Sequence, residues 1–114
     1  MKITDTSTAG RALIALADNP AITTAAAAQN LLTGMIDAYL FVALIDGVAF
    51  RLATRVGRRV DAARVTEAED GTWTLEVGNV RARGFEASTI ERGVKDPREL
   101  RTVFEAATDL WIHQ

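Results

Sequence analysis

The chain has no cysteine and only one histidine, which removes most common catalytic and metal-binding chemistries. Without cysteine there can be no disulfide, no thiolate nucleophile and no cysteine-based zinc site. A Ser-His-Asp arrangement would have to use His113 at the end of the chain, and neither Ser7 nor Ser88 stands in a Gly-x-Ser-x-Gly context. We therefore expect no enzyme of these classes, no metal and no cofactor. The lack of cysteine is compatible with a reducing cytoplasm, the expected location.

Long apolar runs, phosphate-binding motifs and a strong net charge are also missing. The longest apolar stretch, residues 35–45, is interrupted by Asp37 and stopped by Asp46-Gly47, so it is too short to span a bilayer. We expect no membrane association. No Gly-x-Gly-x-x-Gly or Gly-Lys-Ser/Thr loop occurs. The formal net charge is -2, so the molecule as a whole lacks the positive field that drives non-specific DNA binding.

What is present is an ordinary globular composition. The chain has 114 residues, of which 48% are hydrophobic and 25% are charged. These proportions predict a cooperative fold with an independent core, and the lack of a Pro/Gly/Ser-rich linker predicts one domain, residues 1–114.

Three segments are typical of helices. Thr6 or Ser7 can cap a first helix that ends at Asn19-Pro20, and a second is predicted from about Pro20 to Thr33 with Gly34 as its C-terminal cap. A third begins at an Asp96 cap, with Pro97 at its first position and Glu99 completing a capping box. Its apolar stripe comprises Leu100, Val103, Phe104, Ala107 and Trp111.

The rest of the chain favours antiparallel strands. Residues 35–45 could continue the second helix, but the hairpin pattern of Asp46-Gly47 followed by alternating apolar residues favours a strand. Glu69-Asp70-Gly71 predicts a turn, and Gly78-Asn79 predicts a two-residue hairpin loop that places Glu76 opposite Arg81. The expected fold is α+β, an antiparallel β-meander of about four or five strands packed against two N-terminal helices and one C-terminal helix.

Alternation along these segments also predicts the core. Its expected members are Leu13, Leu16, Leu32, Ile36, Phe41, Phe50, Leu52, Val65, Trp73, Leu75, Val77, Leu100, Val103, Phe104 and Trp111. Residues 39–52 are apolar on nearly both sides, which a homodimer surface would explain.

The most distinctive local feature is basic. Five arginines against one aspartate fall within residues 51–64, and two more are expected on the same outer face of the sheet. This arginine stripe, the candidate partner-binding set, comprises Arg51, Arg55, Arg58, Arg59, Arg64, Arg81 and Arg83. Arginine suits bidentate contacts to phosphate or carboxylate. Alternatively, the stripe only solvates an open sheet face and pairs with Glu76 or Glu67.

Three functions remain open at this stage. The first is a non-enzymatic protein-interaction protein, such as an adaptor, assembly factor or inhibitor of a larger complex. Phage-encoded anti-CRISPR and anti-defence proteins have this size and lack of motifs. This is a general property of those protein classes, and no particular residue of this chain indicates it. The second is a nucleic-acid-binding module that uses the arginine stripe. The third is a small-molecule-binding or carboxylate-based enzymatic domain that uses Asp37 or Tyr39.

Overall fold

The computed structural model describes residues 2–53 and 59–112, which form three α-helices and one five-stranded antiparallel sheet. The elements are α1 (Thr8–Ala17), α2 (Ala25–Ile36), β1 (Ala38–Leu44), β2 (Gly47–Leu52), β3 (Ala62–Glu67), β4 (Trp73–Arg81), β5 (Gly84–Val94) and α3 (Pro97–Thr108). The strands are ordered β1-β2-β3-β4-β5, so the sheet is a meander. The predicted α+β class, with two N-terminal helices and one C-terminal helix, is confirmed.

Each helix begins where a side-chain oxygen accepts a hydrogen bond from a backbone N–H of the first turn. The capping residues are Ser7, Thr24 and Asp96. Such a cap satisfies one of the N–H groups that have no partner inside the helix. The predicted start and cap of α3 are confirmed, while the Glu99 carboxylate accepts from the backbone N–H of Lys95, one residue before the cap.

The second helix is displaced from its predicted position at both ends. Pro20 lies in a turn because the Asn19 side chain accepts the Ala21 N–H, a local bond that competes with helix formation. Gly34 is not the C-terminal cap, because the helix continues through Ile36, which is buried in the core. Asp37 then takes the left-handed conformation, with φ of +57°, and ends the helix.

Residues 35–45 are therefore divided between α2 and β1. The preferred strand is confirmed from Ala38 onward, but the hairpin loop is one residue earlier than predicted, because Gly47 already pairs with Leu44. A Cβ atom at Gly47 would collide with the Val65 carbonyl oxygen of the neighbouring strand. This glycine is needed for the close approach of two backbones rather than for a turn.

The predicted hairpin loop at Gly78-Asn79 is wrong. Strand β4 runs through both residues to Arg81, which pairs with Gly84, and Glu76 lies opposite Ile90 rather than Arg81. A Cβ atom at Gly78 would collide with the Glu86 carbonyl oxygen. The glycine again permits close strand approach, next to a register shift between β4 and β5.

The core lies between the helices and one face of the sheet. The predicted core residues are buried there with three exceptions. Phe41 and Val103 are only partly buried, and Trp111 is 58% exposed. The Trp111 prediction is wrong because α3 ends at Thr108 and Asp109 turns left-handed, which takes residue 111 off the helical stripe. Ile112 is buried instead.

Within the described ranges, no helix is both long and apolar enough to cross a bilayer.

Candidate interaction surface on the outer face of the sheet

The sheet has one face against the helices and one face toward solvent. In β2, Val48, Phe50 and Leu52 are buried in the core, as the alternation predicted. Because successive side chains in a strand point to opposite faces, Ala49 and Arg51 lie on the other side. The same alternation holds in β3 and β4. We call the side opposite the helices the outer face.

The outer face contains a groove of about 280 Å³. Its floor includes the small side chains of Ala49 and Ala62. All five strands contribute to its lining, which comprises Leu40, Val42, Ala49, Phe50, Arg51, Ala62, Ala63, Arg64, Val80 and Phe85. Small residues beneath larger apolar walls leave a concave, predominantly apolar surface on the open side of the sheet.

Leu40 is the most unusual residue of this groove. It has a φ of +53° and lies where the pairing of β1 with β2 is interrupted, between Tyr39 and Val42. A left-handed backbone is unfavourable for a leucine. Its side chain is nevertheless 65% exposed, and that of Val42 is 53% exposed. Sequence patterning showed only that residues 39–52 are apolar on both sides, with no indication of the irregularity.

The charges at the centre of the outer face are paired. Arg64 and Glu76 are neighbours in the β3–β4 register, and two guanidinium nitrogens donate to the two carboxylate oxygens at 3.0 and 2.9 Å. This side-chain hydrogen bonding raises the pKa of Arg64 above its ordinary value. The guanidinium carbon also lies 5.2 Å from the centre of the Phe85 ring. The arginine is thus held between an acid and an aromatic ring.

Two further arginines of the stripe have acidic neighbours. Arg51 donates from Nε to the Asp61 carbonyl oxygen at 3.4 Å, and its terminal nitrogen lies 3.9 Å from the Asp61 carboxylate. Arg81 lies 3.9 Å from Glu86. The neighbouring carboxylates offset part of the positive charge of the stripe, although exposed ion pairs of this kind contribute little to stability.

Two other described arginines of the stripe, Arg59 and Arg83, lie outside the groove. Arg59 is exposed, and its carbonyl oxygen accepts a hydrogen bond from the Asn79 side chain at 3.0 Å. Arg83 is exposed in the loop between β4 and β5. Arg55 and Arg58 lie outside the described residues. Of the five described members of the predicted set, Arg51 and Arg64 are the two that line the groove.

Three carboxylates outside the groove have structural roles. Glu67 accepts two hydrogen bonds from Arg11, at 3.0 and 3.1 Å, and so ties α1 to β3. Asp70 accepts from the Thr72 hydroxyl and backbone within an exposed turn. Asp37 ends α2. Over residues 2–53 and 59–112, no three His, Asp or Glu side chains are grouped so that they could hold a metal ion.

Fold and site together define a class: an α+β protein with a five-stranded antiparallel meander, helices on one face, and an apolar groove on the other. Comparisons with protein-family models, curated proteins and solved structures find no match to this chain. Its role is therefore inferred from the geometry and charges of the outer face.

Proposed function

We propose that this chain is a non-enzymatic interaction protein that binds another protein through the outer face of its sheet. The supporting observation is the groove, whose walls include the exposed side chains of Leu40 and Val42 on a face that points away from the helices. Contiguous apolar surface of this kind is typical of protein-binding sites. An adaptor, an assembly factor or an inhibitor of a larger complex, acting in the cytoplasm, would use it in this way.

The charges favour a protein partner over a nucleic acid. Phosphate binding needs guanidinium groups that are free to contact the phosphate oxygens. Arg51, Arg64 and Arg81 each have a carboxylate within 4 Å, at the distances given above. A largely neutral groove with apolar walls is better matched by an apolar protein surface.

Affinity capture from a lysate of the source cells tests the proposal. The tagged protein is used with and without nuclease, at about 0.1 M and about 1 M salt, since screening weakens phosphate contacts. We expect a discrete protein to be retained under all four conditions. Loss of the captured material on nuclease treatment or at high salt would favour the nucleic-acid alternative.

A matched pair of variants assigns the capture to the outer face. Val42→Glu places a charge beside the groove, whereas Ile45→Glu makes the same change in the β1–β2 turn, where the side chain is 85% exposed. We expect the first variant to lose the captured protein and the second to retain it. Equal retention by both variants would show that the outer face is not the binding surface.

A further inference from the structure

One row of residues crosses the middle of the outer face from β1 to β5. The backbone pairing places its members side by side in the order Val42, Ala49, Arg64, Glu76 and Ile90. The row thus has an apolar residue at each end, a small residue in β2, and a cation in β3 beside an anion in β4. Val42 and Ile90 are both exposed.

Four members of this row, from Ala49 to Ile90, are complementary to their own reverse, and Val42 lies at the rim of the overlap. A two-fold axis parallel to the strands, placed between β3 and β4, stacks the outer faces of two copies and reverses the strand order. Arg64 of one protomer then faces the partner's Glu76, and the small Ala49 faces the partner's larger Ile90. An isologous interface requires this kind of self-complementarity, in which the same patch serves both copies.

Stacking in this orientation also avoids leaving a charge unpaired. Burying a lone arginine or glutamate would be strongly unfavourable. Here each copy already contains the bidentate Arg64–Glu76 pair, so the central region is neutral before association. The reversed partner adds a second pair whose opposite charges face the first.

The overlapping part of the outer face is close in size to a specific interface. In this orientation β2 to β5 of the two copies overlap, and four strands spaced about 4.8 Å apart give a width of roughly 19 Å. Seven residues of strand give a length of roughly 24 Å. The overlapping parts of the two faces bury about 900 Å² when treated as flat, close to the roughly 1,000 Å² expected of a specific interface. Sheets of this kind stack face to face about 10 Å apart in β-sandwiches.

We infer that the partner of the outer face is a second copy of this chain, so that the protein forms a homodimer with its two sheets stacked face to face. This inference rests on the proposed function, because it names the occupant of the same surface.

Charge reversal tests the inferred orientation. Sedimentation velocity is measured on the purified protein from about 1 to about 200 µM, a range that detects micromolar association. We expect the unchanged protein to dimerise, and the Arg64→Glu and Glu76→Arg variants, each measured alone, to bind themselves roughly tenfold or more weakly. An equimolar mixture of the two variants should dimerise again, because opposite charges then face each other across the axis. A mixture that remains monomeric would overturn the inference.

Folding defects are separated from lost association by a double variant. Arg64→Glu combined with Glu76→Arg restores the pair within each copy and preserves the self-complementary order, so it should dimerise as the unchanged protein does. Circular dichroism on all variants verifies that they are folded. Ile90→Glu, at the position that faces the partner's Ala49, should be monomeric and Ile45→Glu dimeric. A dimer unaffected by Ile90→Glu would overturn the inference.

The two proposals can fail separately. If the unchanged protein is monomeric throughout the concentration range, the inference that its partner is a second copy is wrong. If that monomer still captures a discrete protein from lysate and loses it on Val42→Glu, the proposed function stands with a different partner. If capture does not depend on Val42, the proposed function fails as well.

Discussion

Leu40 has a strained backbone without any visible contribution to the core. Its φ of +53° lies in the left-handed region, and its side chain is among the most exposed apolar groups of the described residues. Left-handed conformations of non-glycine residues cost on the order of 1 kcal/mol or more, and they concentrate at sites of function. We connect this strain with the outer-face groove, whose wall Leu40 forms.

Replacing Leu40 with glycine should separate stability from binding. Leu40→Gly relieves the strain, so we expect the free energy of unfolding to stay unchanged or to rise by up to about 1 kcal/mol, while binding through the outer face weakens. Val42 has an ordinary strand conformation, so Val42→Gly should instead lower the free energy of unfolding by about 1 kcal/mol. Urea denaturation measures both variants. A clear destabilisation by Leu40→Gly would contradict the strain argument.

Phe104 is the residue of α3 on which core packing depends most directly. It is fully buried, and its ring centre lies 6.3 Å from that of Phe50 in β2. We expect Phe104→Ala to lower the free energy of unfolding by about 3 to 5 kcal/mol because it leaves a cavity. Trp111→Ala, at an exposed position, should cost far less. Urea denaturation again measures both, and a cost below about 1 kcal/mol for Phe104→Ala would contradict its placement.

At the scale of the elements, all three helices end in the same way. Asp18, Asp37 and Asp109 are the C-terminal caps, and each has a left-handed backbone. Aspartate tolerates this conformation, but its negative charge is unfavourable at the C-terminal end of a helix dipole. The three caps differ in their surroundings. Asp18 lies 3.5 Å from the Nε atom of Arg101, which is buried and has no hydrogen-bond partner.

Glycine at two of these caps should therefore have opposite effects. We expect Asp109→Gly to raise the free energy of unfolding by about 1 kcal/mol, since glycine favours the left-handed conformation and removes the charge. Asp18→Gly should lower it by about 1 kcal/mol or more, because Arg101 loses its counter-ion. Thermal and urea unfolding of the two variants measure this difference. Stabilisation by both would show that the Asp18–Arg101 pair contributes nothing.

At the scale of the whole molecule, dimerisation would make stability depend on concentration. Association that occurs only in the folded state adds free energy as the protein concentration rises. Between about 2 µM and about 200 µM we expect Tm to increase by several degrees for the unchanged protein. Ile90→Glu should show no such increase. Differential scanning calorimetry measures both, and a Tm independent of concentration in the unchanged protein would contradict the dimer.

The sequence by itself determined the fold class, the beginnings of α1 and α3, and most of the core. These features depend on residues close together in the chain. Asp96 followed by Pro97 caps and starts α3 wherever that helix packs, and alternation in β2 already separates Phe50 from Arg51.

Only the tertiary structure decided the strand register and the character of the outer face. Gly78 has the pattern of a turn in the sequence, but it lies inside β4 because Glu86 of β5 approaches its backbone. Arg64 is in a run of arginines along the chain, yet the β3–β4 register places it beside Glu76. Local preference cannot determine either feature, because the backbone contact and the counter-charge come from other strands, which join these residues only when the sheet forms.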